Sequence, residues 1–194
     1  MASSQLLKSR TRMYTSSPRK AGNTATVLRA FEIAAGQHEI RRINIIDHSI
    51  QGCRGCDACQ KKEDIPGCKL HDDFDEVLNE LVISDLVIYA APVYVWDFPA
   101  QMKAFMERHY CLVKWKGQKN PIYLFKNKGT ALLATCGGAI RSNTDLIKEI
   151  YKREMDYLHC RSLGTYFCSE GKTKKEMILK ARSVAVRMIE ELLK

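Results

Sequence analysis

The chain has 194 residues, 45% of them apolar and 27% charged, with a formal net charge of +9. That length suits a single domain with a sizeable core, and the composition is ordinary for a globular protein. The longest apolar run, Leu86 to Val95, contains Pro92 and is too short to cross a membrane; eight cysteines without a signal segment argue against a secreted disulfide scaffold and for a cytoplasmic protein.

The first sixteen residues are basic and serine-rich with no acid, a superficial likeness to a transit peptide. A strand is nevertheless expected within Leu6 to Thr15, because the loop that follows needs one before it; Lys8, Ser9, Arg10 and Arg12 make it polar for a buried position. That loop, Ser16-Ser17-Pro18-Arg19-Lys20-Ala21-Gly22-Asn23-Thr24, opens into a helix over Ala25 to Ala34. Backbone N–H groups, hydroxyls and a guanidinium at a helix N-terminus make a cradle for one phosphate. The loop lacks both G-x-G-x-x-G and G-x-x-x-x-G-K, so neither a dinucleotide fold nor a P-loop is indicated. The competing reading is a plain helix cap, in which Ser, Asn and Thr satisfy orphan N–H groups.

A second strand covers about Glu39 to Ile46, with Ile40, Ile43 and Ile45 as its apolar members. A cysteine-rich loop at about 51–71 comes next, with Cys53, Cys56 and Cys59 at intervals of three and Cys68 after eight intervening residues. C-x2-C-x2-C is the core of ferredoxin-type ligation, in which short turns aim successive sulfurs into one cavity. Zinc usually takes two separated C-x2-C knuckles. An iron–sulfur cluster, free thiols and zinc all stand as readings of this loop. Pro66-Gly67 suits the turn that would bring Cys68 back to the other three. His71 reads as a surface histidine, and Asp72 and Asp73 as the cap and first turn of a helix running to Ile83.

Asp85 to Ala91 is a continuous apolar run, the mark of a strand buried on both faces. Helices are expected over Ala100 to Cys111, Asn143 to Tyr157 and Lys174 to Leu193, and strands over Thr130 to Thr135 and Leu163 to Cys168. In the last helix Ile178, Ala181, Ala185, Met188, Ile189 and Leu192 recur at core spacing. Lys114, Lys116, Lys119, Lys126 and Lys128 concentrate basic charge and read as a solvated loop. Elsewhere Lys and Arg are dispersed, with no basic helix interleaved with aromatics, so nucleic acid is not an expected partner. Five strands alternating with five helices imply an α/β fold: a doubly wound five-stranded parallel sheet with helices on both faces, in one domain. Loops 16–24, 92–99 and 135–141 all follow strands and would converge on one edge, where such folds bind ligands. No Ser/His/Asp triad or catalytic carboxylate pair is recognisable.

Ser17-Pro18-Arg19-Lys20-Ala21-Gly22-Asn23-Thr24 resembles the S-P-R-x-x-G-N-T phosphate loop of the NADPH-dependent FMN reductase and iron–sulfur flavoprotein families. The likeness continues through Cys53-x-x-Cys56-x-x-Cys59, Cys68 and Asp72-Asp73. It extends through Pro92-Val93-Tyr94 with Gln101-Met102-Lys103-Ala104-Phe105 to Thr135-Cys136-Gly137-Gly138. The chain departs from the pattern at Ser16, where the families usually have glycine, and in the length between Cys59 and Cys68. The resemblance implies a flavodoxin-like fold with FMN bound as a prosthetic group. Ser17, Arg19, Asn23 and Thr24 would contact its phosphate; Pro92, Val93, Tyr94 and Trp96, with Thr135, Gly137 and Gly138, would approach the ring. At least one of Trp96 and Phe98 is expected in the core or at a subunit contact, and Cys136 as a buried thiol without a redox role. The resemblance further implies a [4Fe–4S] cluster on Cys53, Cys56, Cys59 and Cys68. Electrons would pass from NADPH or NADH through the flavin to a small-molecule or protein acceptor; alternatively, the protein is an electron carrier reduced by ferredoxin. The aromatic stretch Tyr94-Val95-Trp96-Asp97-Phe98 and the family likeness together suggest a homodimer or homotetramer.

Overall fold

The computed structural model describes residues 9–62, 64–115 and 119–193. Residues 6–8 of the expected first strand, and Lys116 of the basic run, lie outside them. In chain order the elements are β1 (Thr11–Thr15), α1 (Asn23–Ala35), β2 (Ile40–Asn44), α2 (Phe74–Ile83), β3 (Leu86–Pro92) and α3 (Ala100–Glu107). A two-residue pair follows, β4 (Val113–Lys114) and β5 (Ile122–Tyr123). Then come β6 (Gly129–Cys136), α4 (Ile140–Asn143), α5 (Asp145–Tyr157), β7 (Arg161–Ser169) and α6 (Lys174–Leu192).

The main sheet has the order β2-β1-β3-β6-β7, parallel throughout. This is the flavodoxin-like winding, and its direction of travel reverses between β1 and β3. Residue alternation along β3 explains its unbroken apolar run. Val87, Tyr89 and Ala91 enter one core with Phe74 and Leu81 of α2, Phe105 of α3 and Tyr151 of α5. Leu86, Ile88 and Ala90 enter the other with Val27 and Phe31 of α1 and Ala181 and Met188 of α6. The register sets Thr15 opposite Ala90, and Pro92 opposite Thr135. The carboxyl ends of β1, β3 and β6 therefore lie side by side.

The polar first strand is balanced by acids from other elements. Arg12 is buried; its Nε donates to Glu80 at 2.6 Å and its terminal nitrogens to Glu39 at 3.1 Å. Four sequence expectations change in detail. The helix expected to reach Cys111 stops at Glu107 and tightens into a 3-10 turn over Arg108–Leu112, which delivers Arg108 into the interior. The helix expected from Asn143 is interrupted at Thr144, whose hydroxyl bonds back to the carbonyl of Ile140 at 2.9 Å. The last strand is longer than expected, Arg161–Ser169. In α6 the fully buried stripe is Met177, Ala181, Ala185 and Met188, with Ile178, Ile189 and Leu192 at its half-buried margins. No described helix is long and apolar enough to cross a membrane.

Candidate functional site

Three of the aligned strand ends open into one cleft of about 200 Å³. Its walls are Ser17, Arg19, Gly22, Asn23 and Thr24 after β1; Pro92, Val93 and Tyr94 after β3; and Thr135, Cys136 and Gly137 at the end of β6. The volume suits a phosphate and its linker rather than a whole drug-sized ligand. The phosphate loop is built for close approach: a side chain on Gly22 would bring its Cβ to 2.9 Å from the Cβ of Arg19.

The helix-cap reading fails here. Gly22 occupies the N-cap of α1, no side chain caps the helix, and its first turn holds no acid. Its leading amides and the positive end of its dipole are thus left for a ligand. The Ser17 hydroxyl donates to the Arg19 carbonyl at 3.2 Å, bracing the loop. The Ser16 hydroxyl is fully buried and has no partner among the described residues. An uncapped helix start on the wall of the cleft fits a phosphate site, and the loop that leads to it opens on this orphaned hydroxyl. The Thr24 hydroxyl is engaged elsewhere: it shares a buried 2.7 Å hydrogen bond with that of Thr135. This bond latches the first loop to the third, leaving Thr24 its amide for a ligand.

The second loop is held in an unusual turn. The amide of Tyr94 donates to the carbonyl of Asp97 and the amide of Asp97 to that of Tyr94, both at 3.0 Å. Between them Val95 and Trp96 have φ of 52° and 61°. Left-handed backbone is costly for a β-branched residue, so the closed turn holds strain at the rim of the cleft. It lifts Val95 to 87% exposure and leaves Tyr94 and Trp96 at 44% and 51%. The Trp96 indole donates to the Ser142 carbonyl at 3.1 Å, tying this loop to the segment after β6. Phe98 is the member that joins the core. Trp96 and Gly138 stand outside the lining of the cleft, and Gly138 instead takes a φ of 136°. Glu170, immediately after β7, lines the cleft without having been foreseen, and a Cβ on Gly137 would lie 3.7 Å from its Oε1. Burial, with Glu170 adding to it, pushes the Cys136 thiol up. The signal for Glu170 was available in principle, since a fourth parallel strand ends on the same edge.

The cysteine loop is docked on the segment after α3. Arg108, with a wholly buried side chain, donates to both oxygens of Asp72 at 2.5 and 2.6 Å. It also reaches the carbonyls of Gln51 at 3.4 Å and Leu70 at 3.5 Å and lies 4.0 Å over the ring of Phe74. One guanidinium thereby ties together the two ends of the loop. Burial would raise the Asp72 carboxyl, but the Arg108 bond and the amides of Gln51 and Phe74 outweigh it and hold the carboxyl down. The expected cap is displaced by one residue: Asp73 holds the N-cap position without a side-chain cap bond, while the Asp72 Oδ1 accepts from the Phe74 amide at 3.1 Å, secondary to this ion pair.

In the middle of the loop, Gln60 is 3% exposed. Its Nε2 donates to the carbonyls of Val113 at 2.9 Å and Tyr110 at 3.3 Å, while its Oε1 accepts from the Trp115 amide at 2.9 Å. Lys114 donates to the Cys59 carbonyl at 2.8 Å and is 1% exposed. The solvated-loop reading of the basic run is therefore wrong for Lys114, which β4 carries inward, although Lys119 and Lys126 are exposed.

Cys53 and Cys56 are exposed, Cys59 and Cys68 half-buried, and all eight cysteines are free thiols. Cys59 and Cys68 pack against the core cluster that contains Cys111. Burial pushes the Cys111 thiol up to about 12, although the Gly67 amide donates to it. Among the described residues no three His, Cys, Asp or Glu side chains are grouped as ligands of one ion. By chemistry the four thiols fit an iron–sulfur cluster: they are soft, unpaired by disulfides, and carried on one anchored loop.

A sequence profile described as NADPH-dependent FMN reductase matches residues 13–176. An iron–sulfur flavoprotein of Methanosarcina thermophila is 30% identical over 149 residues, 76% of this chain and 71% of its own length. One from Archaeoglobus fulgidus is 38% identical over 94 residues, 47% of this chain and 41% of its own. Among solved structures, an FMN-dependent NADH-azoreductase from Bacillus anthracis in complex with FMN superposes with a TM-score of 0.72 at 13% identity, covering 96% of this chain and 100% of that one. An NAD(P)H:quinone oxidoreductase from Methanothermobacter marburgensis gives 0.70 at 11% identity, covering 96% and 100%. At such identities the two structures establish the shared fold.

Proposed function

Because the chain belongs to the NADPH-dependent FMN reductase family, we propose that it takes electrons from NADPH or NADH through bound FMN and delivers them to a small-molecule or protein acceptor. One observation carries the reading: loops from three neighbouring strand ends meet in a cleft lined by an uncapped helix start, with the guanidinium-bearing Arg19 on its wall. Ser17, Arg19 and the amides of Asn23 and Thr24 would hold the phosphate, with Arg19 adding a charge-assisted bond. Val93, Tyr94 and Gly137 line the remainder, and Tyr94 and Trp96 supply aromatic surface toward the ring. FMN, when bound, supplies hydride acceptance and electron transfer, so no triad or carboxylate pair is needed from the protein. The protein's part is to fix the cofactor: Thr24 to Thr135 and Trp96 to Ser142 lock the three loops against one another.

The four-cysteine loop and the iron–sulfur flavoprotein relatives support a [4Fe–4S] cluster on Cys53, Cys56, Cys59 and Cys68 as a second redox centre. With that centre, the net charge of +9 favours an alternative in which an acidic ferredoxin reduces the protein directly. The exposed Tyr94, Val95 and Trp96 offer an apolar surface for a second copy, giving a homodimer or homotetramer. Eight free thiols agree with a reducing, cytoplasmic setting.

Anaerobic steady-state oxidation of NADPH and NADH, with a quinone and an azo dye as acceptors, tests the assignment. Turnover with either nicotinamide supports the reductase. Reduction by ferredoxin with no nicotinamide turnover selects the electron carrier, and reduction by neither refutes both.

A further inference from the structure

We propose that Lys114 is the fixed counter-cation of the four-cysteine site, stabilising the negative charge of a thiolate-ligated iron–sulfur cluster and raising its reduction potential. The inference rests on the reading that Cys53, Cys56, Cys59 and Cys68 ligate such a cluster.

Lys114 is 1% exposed, and its ammonium has one hydrogen bond, to the Cys59 carbonyl at 2.8 Å. Among the described residues no carboxylate stands within ion-pair distance of it, whereas the other fully buried cation, Arg108, has Asp72 at 2.5 Å. A buried ammonium without an anion is costly, and lysines are seldom fully buried unpaired. Among the described residues, the ionisable groups that act most strongly on Lys114 are the thiols of Cys111 and Cys59, the carboxylate of Asp64 and the ammonium of Lys62. Asp64 and Lys62 are exposed and opposite in sign, so water screens both and they largely offset each other.

What remains on the docked side of the loop is sulfur. Thiols bound to iron are deprotonated, and a cluster with four thiolate ligands carries net negative charge that grows with each electron accepted. A cation fixed nearby in a poorly screened interior favours the more negative, reduced form.

The arrangement is also rigid. Gln60, next to Cys59, spends three hydrogen bonds on Tyr110, Val113 and Trp115, so the backbone at Cys59 is fixed on both sides of Lys114. Lys114 itself is carried by β4 and buried with it.

The test compares wild type, K114M and K114R, all prepared anaerobically with FMN bound. The measurements are FMN content, iron and sulfide content, the rate of iron loss to a chelator, and the cluster's midpoint potential by spectroscopically monitored titration. FMN should remain at wild-type stoichiometry in both variants, since none of its contacts involves Lys114. K114M is expected to shift the midpoint to a more negative value and to lose iron faster; K114R, which keeps the charge, should return both toward wild type. An iron-replete wild type with unchanged potential and iron retention in K114M overturns the inference while leaving the cluster standing. Wild type without iron overturns the cluster reading and this inference with it. If K114M does not fold, K114R still decides: wild-type iron retention and potential support the charge role, and FMN-loaded K114R with its iron lost refutes it.

Discussion

Replacing Asp72 with asparagine removes a charge and leaves its volume nearly unchanged, so the structural cost is that of an unpaired Arg108. In the native protein that guanidinium is wholly buried, held by both Asp72 oxygens at 2.5 and 2.6 Å, with its Nε already lacking a partner. Breaking a buried pair from one side costs about 3–5 kcal/mol, because the remaining charge cannot reach water. The Gln51 and Phe74 amides bond different Asp72 oxygens, at 2.9 and 3.1 Å, and asparagine keeps only one of them, so one amide also loses its acceptor and adds to the loss. With a urea slope of about 1–3 kcal/mol per molar, the unfolding midpoint should fall by at least about 1 M. The assay is urea unfolding by circular dichroism at pH 7 and saturating FMN, which holds ligand linkage constant. Acid should reproduce the effect in the unaltered protein. The native Asp72 carboxyl is held below its ordinary value, so its stabilisation is complete above the ordinary carboxylate range and is lost as pH falls through the native value. D72N, lacking the group, should show a shallower loss of stability over that range. A D72N midpoint within about 0.3 M of wild type, less than 1 kcal/mol at the upper slope, would refute the claim that this pair fastens the two ends of the cysteine loop.

Arg19→Ala should weaken FMN binding by about 1.5–3 kcal/mol, the scale of a hydrogen bond to a charged group. Fluorescence titration of flavin-free protein reads it, and undiminished affinity removes Arg19 from the site. T24V and T135V should each cost about 1–3 kcal/mol by stranding a buried hydroxyl that now shares a 2.7 Å bond. The double variant should cost less than their sum in a thermal-unfolding cycle, and strict additivity would mean the latch does not couple the loops. In iron-free folded protein at pH 8, a thiol alkylating agent should label the exposed Cys53 and Cys56 first. Buried Cys111 and half-buried Cys160, both thiols pushed up to about 12 by desolvation, should stay unmodified by mass spectrometry. Early labelling of Cys111 would contradict its packing beneath the loop.

The parts of the site visible in the sequence are those encoded locally. The run Ser16 to Thr24, Pro92-Val93-Tyr94 and Thr135-Cys136-Gly137 each lie at the carboxyl end of a parallel strand, and backbone direction alone sends all three to one sheet edge. Which hydroxyls remain free was not visible: Thr24 pairs with Thr135 across 111 positions of sequence, while Ser16, outside the motif, is the buried one without a partner. Arg108 and Lys114 were hidden for a different reason. Each looks like an ordinary solvated cation, one closing a helix and one in a basic run, and only the 3-10 turn and the β4 strand carry them inward. Glu170 follows a strand whose end carries no recognisable motif, so only the position of that strand end on the same sheet edge pointed to the cleft.

The measurement that bears most directly on the account is the identity and amount of flavin released when the purified protein is denatured. The phosphate cradle, with room for one phosphate and no dinucleotide fingerprint, predicts FMN at one per chain in the FMN-saturated protein, and loss of that retention in Arg19→Ala. Release of FAD, or a protein that neither carries FMN nor takes it up in titration, would contradict it.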